Sequence, residues 1–387
     1  MKRKVRLLSF LALAGLLVFG SSGVNATVGK PVKELTLQQS VDLALKQNSK
    51  VELDQIVVDK AYAELDGAEA TADATDMDKF YNQNYQGGLV KWVGPAAAKS
   101  GIVIAEELKE LGVKSLKVEV ESAYYELLKA ERYLAIKKAS LQRAQEQYKI
   151  AQANLKAGTI AKGDLAGVEA AVALSQAEVV SAQNNYNITV MKFNKVVGLD
   201  LDTPVKLITK FIYEPSKDID YAESLKDALI NNFEILKVKE ELKVKQEEFN
   251  VANKYFGGGV TTFEKAKFAQ KEAEIKVRQQ EIDTTLAVKE AYLNLRSAEE
   301  MLTFLGKNVE KEKENMRITT LKYKNGLATH IDVTGADLAL EEAEKGYADT
   351  LYMYNSAKAA FKYGLFLPAG GNSAGASGGS AGAMGKK

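Results

Sequence analysis

The chain has 387 residues, with 52 basic and 51 acidic side chains, five prolines, one histidine and no cysteine. Without cysteine there are no disulfides, iron–sulfur clusters, cysteine-ligated zinc sites or thiol catalysis. The single histidine excludes a site built from several histidines. No acid/base pair, nucleophile or phosphate-binding loop stands out in the sequence, which therefore predicts no enzyme, no cofactor and no metal site.

The first 26 residues have the pattern of a secretory signal peptide. Four basic residues precede a 13-residue stretch, Leu7 to Phe19, that is apolar except for Ser9. Small residues follow at Val24-Asn25-Ala26, and the apolar stretch is shorter than the roughly 20 residues of a membrane-spanning helix. Removal of the four basic residues leaves 48 basic and 51 acidic residues. We therefore expect an exported protein that does not bind nucleic acid, since nucleic-acid binding requires a strongly basic surface.

The rest of the chain contains two copies of one unit. A shift of 168 residues places Ala123-Tyr124 on Ala291-Tyr292, Gly158 on Gly326 and Asp164 on Asp332. Further upstream the shift is 184 residues, which places Ser40 on Ser224 and Asn48 on Asn232. We predict a first repeat at 27–198, a connector at 199–223, a second repeat at 224–367 and a disordered Gly/Ser/Ala-rich tail at 368–387.

The spacing of apolar residues within each copy predicts long helices that pack as coiled coils. Apolar side chains in the first copy recur at alternating intervals of four and three residues, with an interruption at Lys137-Lys138, and the second copy shows the same period. The stripe of the first copy is formed by Leu116, Val120, Ala123, Leu127, Ala130 and Leu134. Because proline is absent between Pro95 and Pro204, we expect a helix from about residue 104 to 156, roughly 80 Å long.

A glycine follows each long helical stretch at the same position of its copy. Gly158 lies in Ala157-Gly158-Thr159, and Gly326 lies in Asn325-Gly326-Leu327. Glycine accepts the left-handed conformation that ends many helices, and Thr159 or Thr329 is suited to cap the helix that follows. The sequence therefore predicts an all-α fold of two tandem antiparallel coiled-coil hairpins, with tips near 157–164 and 325–332 and at most a vestigial β element.

Four segments carry a resemblance to a known family. They are a helix-like opening at 35–48, the Ala-Tyr-Tyr-Glu-Leu-Leu run at 123–128, the turn at 157–159 and the end of the first copy at 196–205. In this order they resemble the outer membrane efflux protein family, the TolC-like exit ducts. The resemblance implies a homotrimer in the cell outer membrane. Such a trimer passes substrates from an inner-membrane transporter through a periplasmic adaptor.

The resemblance also assigns roles to individual residues. It places Asp332 at the tunnel constriction, while the second acidic position of the family falls on Gly335, two residues from Asp337. The alternative role for Asp332 and Asp164 is that of a first-turn acid that stabilises a helix N-terminus. The turns that would dock onto the adaptor contain Ala157, Gly158, Thr159, Asp164, Asn325, Gly326 and Leu327.

The sequence departs from the family where membrane strands of about 9–11 residues should lie. Residues 255–262 of the second copy are too few for two strands and a turn, and in the first copy 79–95 accommodates one short strand or an aromatic loop. Aromatic residues in or near it, Phe80, Tyr81, Tyr85 and Trp92, are suited either to a membrane interface or to packing over the helix ends. Two functions follow: an efflux or type I secretion duct, and a barrel-less coiled-coil structural or interaction protein of the cell envelope.

Overall fold

The computed structural model describes residues 32–77, 84–210 and 212–366. The predicted signal peptide, the predicted tail, Phe80 and Tyr81 lie outside these residues. Helices dominate the described part, and its only strands are the three-residue β1 (Lys33–Leu35) and β2 (Val205–Leu207). The two strands pair in parallel, with Lys33 opposite Val205 and Leu35 opposite Leu207. The predicted all-α fold class with a vestigial β element is confirmed.

The helices of the first copy are α1 (Leu37–Gln47), α2 (Ser49–Ala74), α3 (Asn84–Gly88), α4 (Gly94–Lys156) and α5 (Lys162–Val197). Those of the second copy are α6 (Tyr221–Asn231), α7 (Phe233–Tyr255), α8 (Thr261–Lys324) and α9 (His330–Tyr363). Asn48 caps α2 and Asn232 caps α7 through the same side-chain contacts with backbone N–H groups. The two copies therefore share one sequence of helices.

The two long helices, α4 and α8, each span about 95 Å at 1.5 Å per residue. Around them the other helices form a row. In the half that contains the turns at 157–161 and 325–329, the tip half, the order is α5, α4, α9, α8. In the opposite half, the far half, the order is α2, α4, α7, α8. Only α4 has a helix on both sides along its whole length.

The core of the first copy lies where the two halves meet. Tyr124 and Phe193 are fully buried there beside Val120 and Val197. The Tyr124 hydroxyl donates to the carbonyl of Leu35 at 3.1 Å and accepts the N–H of Thr209 at 3.0 Å. The strand pair is thereby fixed to α4, since a buried hydroxyl needs hydrogen-bond partners.

The prediction of a short strand or aromatic loop at 79–95 is wrong for the part that the structure describes. Residues 84–95 are helical, and a π-helical turn at Leu89–Val93 joins α3 to α4. Pro95 explains the wider turn, because it has no N–H to donate to the carbonyl of Lys91 in an α-helix. The N–H of Gly94 donates instead to the carbonyl of Leu89.

The segment between α5 and α6 is anchored by a buried carboxylate on α8. Glu299 accepts hydrogen bonds from the N–H of Ser216 at 2.8 Å and from its hydroxyl at 2.6 Å. Arg296 and the Tyr354 hydroxyl donate to the same carboxylate. Burial opposes ionisation of Glu299, but these hydrogen bonds outweigh it and lower its pKa to about 2.

We predict that Glu299→Gln lowers the melting temperature in a pH-dependent way. The folded pKa lies below the unfolded value of about 4.3, so the ionised carboxylate contributes stability above that pH. The contribution is lost as the pH falls towards 2. Melting of the parent and the variant across this range should show a gap that closes in acid.

Glu131→Gln is the matched control, because Glu131 occupies the same position of the first repeat and is exposed. It should show no comparable gap. A melting deficit of Glu299→Gln that is as large in acid as at neutral pH would contradict the assignment.

Candidate functional site: the hairpin tips

The first tip is a helix end closed by two crossed backbone hydrogen bonds. The N–H of Thr159 donates to the carbonyl of Asn154, and the N–H of Gly158 donates to the carbonyl of Leu155, both at 3.0 Å. This is a Schellman motif, and it requires a left-handed residue, here Gly158 with φ of 76°. A side chain at this position would be strained, as the sequence predicted.

The second tip repeats the motif residue for residue. The N–H of Leu327 donates to the carbonyl of Lys322 at 2.8 Å, and the N–H of Gly326 donates to that of Tyr323 at 3.0 Å. Gly326 has φ of 70°. The two turns therefore present equivalent backbones, but Thr159 stands in one where the apolar Leu327, which is 77% exposed, stands in the other.

The helices that return from the two tips begin differently. Thr329 caps α9: its hydroxyl oxygen accepts the N–H of Asp332 at 3.2 Å, and its own N–H donates to Asp332 Oδ2 at 2.7 Å. Ala161 is the cap residue of α5, so only the reciprocal bond from its N–H to Asp164 Oδ2 forms, at 3.0 Å. The expected cap by Thr159 is wrong, because its hydroxyl donates back to the carbonyl of Asn154.

Asp332 and Asp164 thus hold their helix N-termini in place. Both hydrogen bonds of Asp332 with Thr329 fall on Oδ2, and they lower the pKa of the carboxyl. The side chain is fully exposed. Helix capping leaves Asp332 Oδ1 without a hydrogen bond from Thr329, so the cap role and a solvent-facing negative charge are compatible.

The two tips contact each other. The ring of His330 lies over Gly167 in the first turns of α5, where an added Cβ would come within 3.3 Å of Nε2. Burial raises the pKa of Tyr323 near the end of α8, and the Asp164 carboxylate raises it further. A core of Met316, Tyr323, Val333, Ala336 and Leu340 supports both turns.

Asp337, the acid near the second family position, does not face open solvent. It accepts hydrogen bonds from the Ser140 hydroxyl, at 2.6 Å, and from Arg143. Lys137 forms ion pairs with Glu341 and with Glu178, the latter at 3.0 Å, and is almost completely buried. These charges join α4 to α9 and α5, so they hold the two hairpins together.

The sequence gave one signal of this charged contact that went unused. Lys137 interrupts the apolar stripe of α4 at a position that the helix buries. A charge at a coiled-coil core position needs a partner of opposite sign. The partner could not be named, because it lies about 200 residues away on another helix.

The aromatic side chains at the far end pack against the second copy. Trp92 stacks on Tyr255 with ring centroids 6.4 Å apart, and Lys254 Nζ lies 4.0 Å from the Trp92 ring centre. Tyr85 meets the Phe256 ring edge-on at 5.1 Å. Tyr85 and Trp92 are half-buried by these contacts, the arrangement described above as packing over the helix ends.

We predict that the two tips respond in opposite ways to exchange of their cap residues. Thr329→Ala removes a cap worth about 1 kcal/mol, so amide hydrogen exchange in the first turn of α9 should accelerate about fivefold. Ala161→Thr should slow exchange in the first turn of α5. Unchanged exchange at both tips would show that these caps do not limit local opening.

The comparisons with known proteins agree with this geometry. The family model of outer membrane efflux proteins matches residues 97–199 and 254–362, more than half of the chain. No curated protein sequence matches the chain.

Solved structures match over most of the chain. The outer membrane protein VceC of Vibrio cholerae has a TM-score of 0.68 and 14% identity, covering 85% of this chain and 95% of its own. The CmeC outer membrane channel of Campylobacter jejuni has a TM-score of 0.64 and 15% identity, with 87% of each chain covered. The open-state MtrE outer membrane channel of Neisseria gonorrhoeae has a TM-score of 0.60 and 15% identity, covering 85% and 88%. At such identities these likenesses establish the fold, and together with the family match they show that the chain belongs to the outer membrane efflux protein family.

Proposed function

We propose that three copies of this chain form a tubular exit duct that carries substrates away from an inner-membrane transporter and its periplasmic adaptor. Membership of the family places the chain at the outer membrane of the cell envelope. The observation that carries the proposal is the row of four long helices. Four helices from each of three chains would give a twelve-helix tube.

The tips are the adaptor-docking surface in this proposal. Residues Ala157, Gly158 and Thr159 of one turn and Asn325, Gly326 and Leu327 of the other project beyond the helices, and Asp164 braces the first turn. Leu327 is the most exposed of the large apolar side chains in the described residues. An exposed leucine on a rigid turn is suited to a small apolar pocket on a partner.

Asp332 forms the constriction in this proposal. Three copies of an exposed carboxylate at the narrow end of a tube would attract cations and repel anions. The capping box fixes the position of each carboxylate, and its lowered pKa keeps it charged into the acid range. Asp337 is engaged with Arg143 and Ser140, so it contributes no second ring of free charge.

We predict that Asp332→Asn reduces the cation selectivity of the assembled trimer in planar lipid bilayers. Asparagine keeps an oxygen that can accept the cap hydrogen bonds, so the fold is retained while the charge is lost. Asp164→Asn removes the equivalent charge from the first tip and should have the smaller effect. Equal selectivity in the parent and Asp332→Asn would refute the constriction.

We also predict that Leu327→Asp lowers efflux when the variant replaces the native chain in its own cell, with trimer content unchanged. Thr159→Asp tests the equivalent position of the first tip and should lower efflux less, because no apolar contact is lost there. Full efflux with Leu327→Asp would remove this leucine from the docking surface.

One observation favours a second function, that of an envelope coiled-coil protein that does not itself form a membrane pore. Only Phe256–Val260 separate α7 from α8, and a membrane strand needs about 9–11 residues. A well-folded trimer with no conductance in bilayers would favour this function, and steady trimer-dependent conductance would exclude it.

A further inference from the structure

Both edges of the helix row expose large apolar side chains. One edge is formed by α2 and α5 and the other by α8, and away from the tips neither has a neighbouring helix among the described residues. In the described part, α5 is the one helix that is long and apolar enough, by length and composition alone, to cross a membrane, although little of it is buried. The exposed residues are Leu53, Ile56, Val57, Leu174, Val180, Ile188 and Met191 on the first edge, and Phe268, Ile275, Ile282, Leu286, Leu293, Met301 and Phe304 on the second.

The internal repeat supplies a template for what covers these edges. Within the chain, α4 packs against α7 in the far half and against α9 in the tip half. The repeat relates α4 to α8 and α9 to α5 by 168 residues, and α7 to α2 by 184. Burial agrees with the first offset, since Val120 and Val288, and likewise Leu127 and Leu295, are each at most 1% exposed.

We infer that a second copy of this chain covers each edge, with α8 of one copy packed against α2 and α5 of the next in the register of the seam inside the chain. The inference rests on the proposed duct and adds to it the pairing residues and their chemistry. Such a contact joins two different surfaces, so it is head-to-tail and generates a ring when the rotation closes.

In the far half, a polar pair inside the chain maps onto an apolar pair between copies. The Ser100 hydroxyl donates to Glu240 Oε2 at 2.9 Å, and both residues are buried. The offsets place Phe268 at the position of Ser100 and Ile56 at that of Glu240. Phe268 is 64% exposed and Ile56 is 46% exposed, so each leaves apolar surface that the other would cover.

The same exchange continues along α8, one heptad at a time. Glu107 and Lys114 on α4 face the start of α7, and their counterparts on α8 are Ile275 and Ile282. The seam between copies is therefore apolar where the seam inside the chain is polar. A helix that suits one seam leaves charges unpaired in the other, which prevents the two seams from being confused.

In the tip half, charges provide an independent check of the register. The seam inside the chain contains four ion pairs between α4 and α9: Lys129–Asp349, Arg132–Glu344, Lys137–Glu341 and Arg143–Asp337. The offsets convert them into Ser297 with Ser181, Glu300 with Gln176, Leu305 with Ala173, and Lys311 with Glu169. None of these pairs brings like charges together, and the last is a new ion pair. This agreement favours a second copy over a lipid surface as the occupant.

The absence of cysteine from the chain makes cross-linking a direct test. The full chain carrying Ile56→Cys and Phe268→Cys, treated with a short bifunctional maleimide, should yield cross-linked species of two and three chains. Ser100→Cys with Glu240→Cys should react within one chain. Ile56→Cys with Leu286→Cys is the register control, because Leu286 lies on the same edge but roughly 27 Å further along α8, and it should not cross-link.

The outcomes separate this inference from the duct itself. A chain that stays monomeric at all concentrations refutes both. A trimer in which Ile56→Cys/Phe268→Cys fails to cross-link, or in which the control pair reacts equally, overturns the register and leaves the duct standing.

A second measurement uses the new ion pair. Glu169→Lys and Lys311→Glu should each weaken trimer formation by about fivefold, and the double variant should restore it. Loss of assembly that the double variant does not reverse contradicts the pairing.

Discussion

The burial of the apolar stripe on α4 is the constraint on which the rest of the structure depends. A helix of 63 residues cannot cover such a stripe by itself, and α4 obtains neighbours on both sides along its whole length. These neighbours are α2 and α5 from its own repeat and α7 and α9 from the other. The two copies are therefore one structural unit, since the second repeat completes the packing of the first.

The same stripe on α8 is covered on one side only. Val288, Leu295 and Leu302 are buried against the second repeat's own helices, while Phe268, Met301 and Phe304 remain exposed. The duplication thus leaves an unfilled copy of the α4 environment at each edge. Because hydrophobic burial dominates the stability of helix assemblies, a chain with this asymmetry is most stable when other copies supply the missing neighbours.

The tips and the far end show how one backbone plan carries different chemistry. Gly158 and Gly326 close identical turns, whereas Leu327 and Thr329 give the second tip an apolar contact and a cap that Thr159 and Ala161 do not give the first. At the far end, the first copy continues through a π-helical turn and the second reverses over a few residues. The ends are where the copies have diverged, since the helix packing between them restricts the rest.

Much of the fold could be predicted because it depends on local rules. Periodicity gave the helices, glycine at the tips gave the turns, and the repeat gave the number of hairpins. The strand or loop at 79–95 was wrong because the aromatic residues there pack on Tyr255 and Phe256. Those partners come from the other repeat, so no local pattern could identify them. The cap at Thr159 was wrong by two residues, an error that only the hydrogen bonds of the turn resolve.

The sequence by itself determined the family, the helical class, the duplication and the position of both turns, because each depends on the spacing of residues along the chain. Only the tertiary structure decided which charges are paired. It showed that Lys137 is satisfied by Glu178 and Glu341, that Asp337 is bound to Arg143, and that Asp332 caps its helix while remaining exposed. The physical reason is that a buried charge is stabilised by groups close in space. Which groups those are depends on how the two hairpins lie against each other.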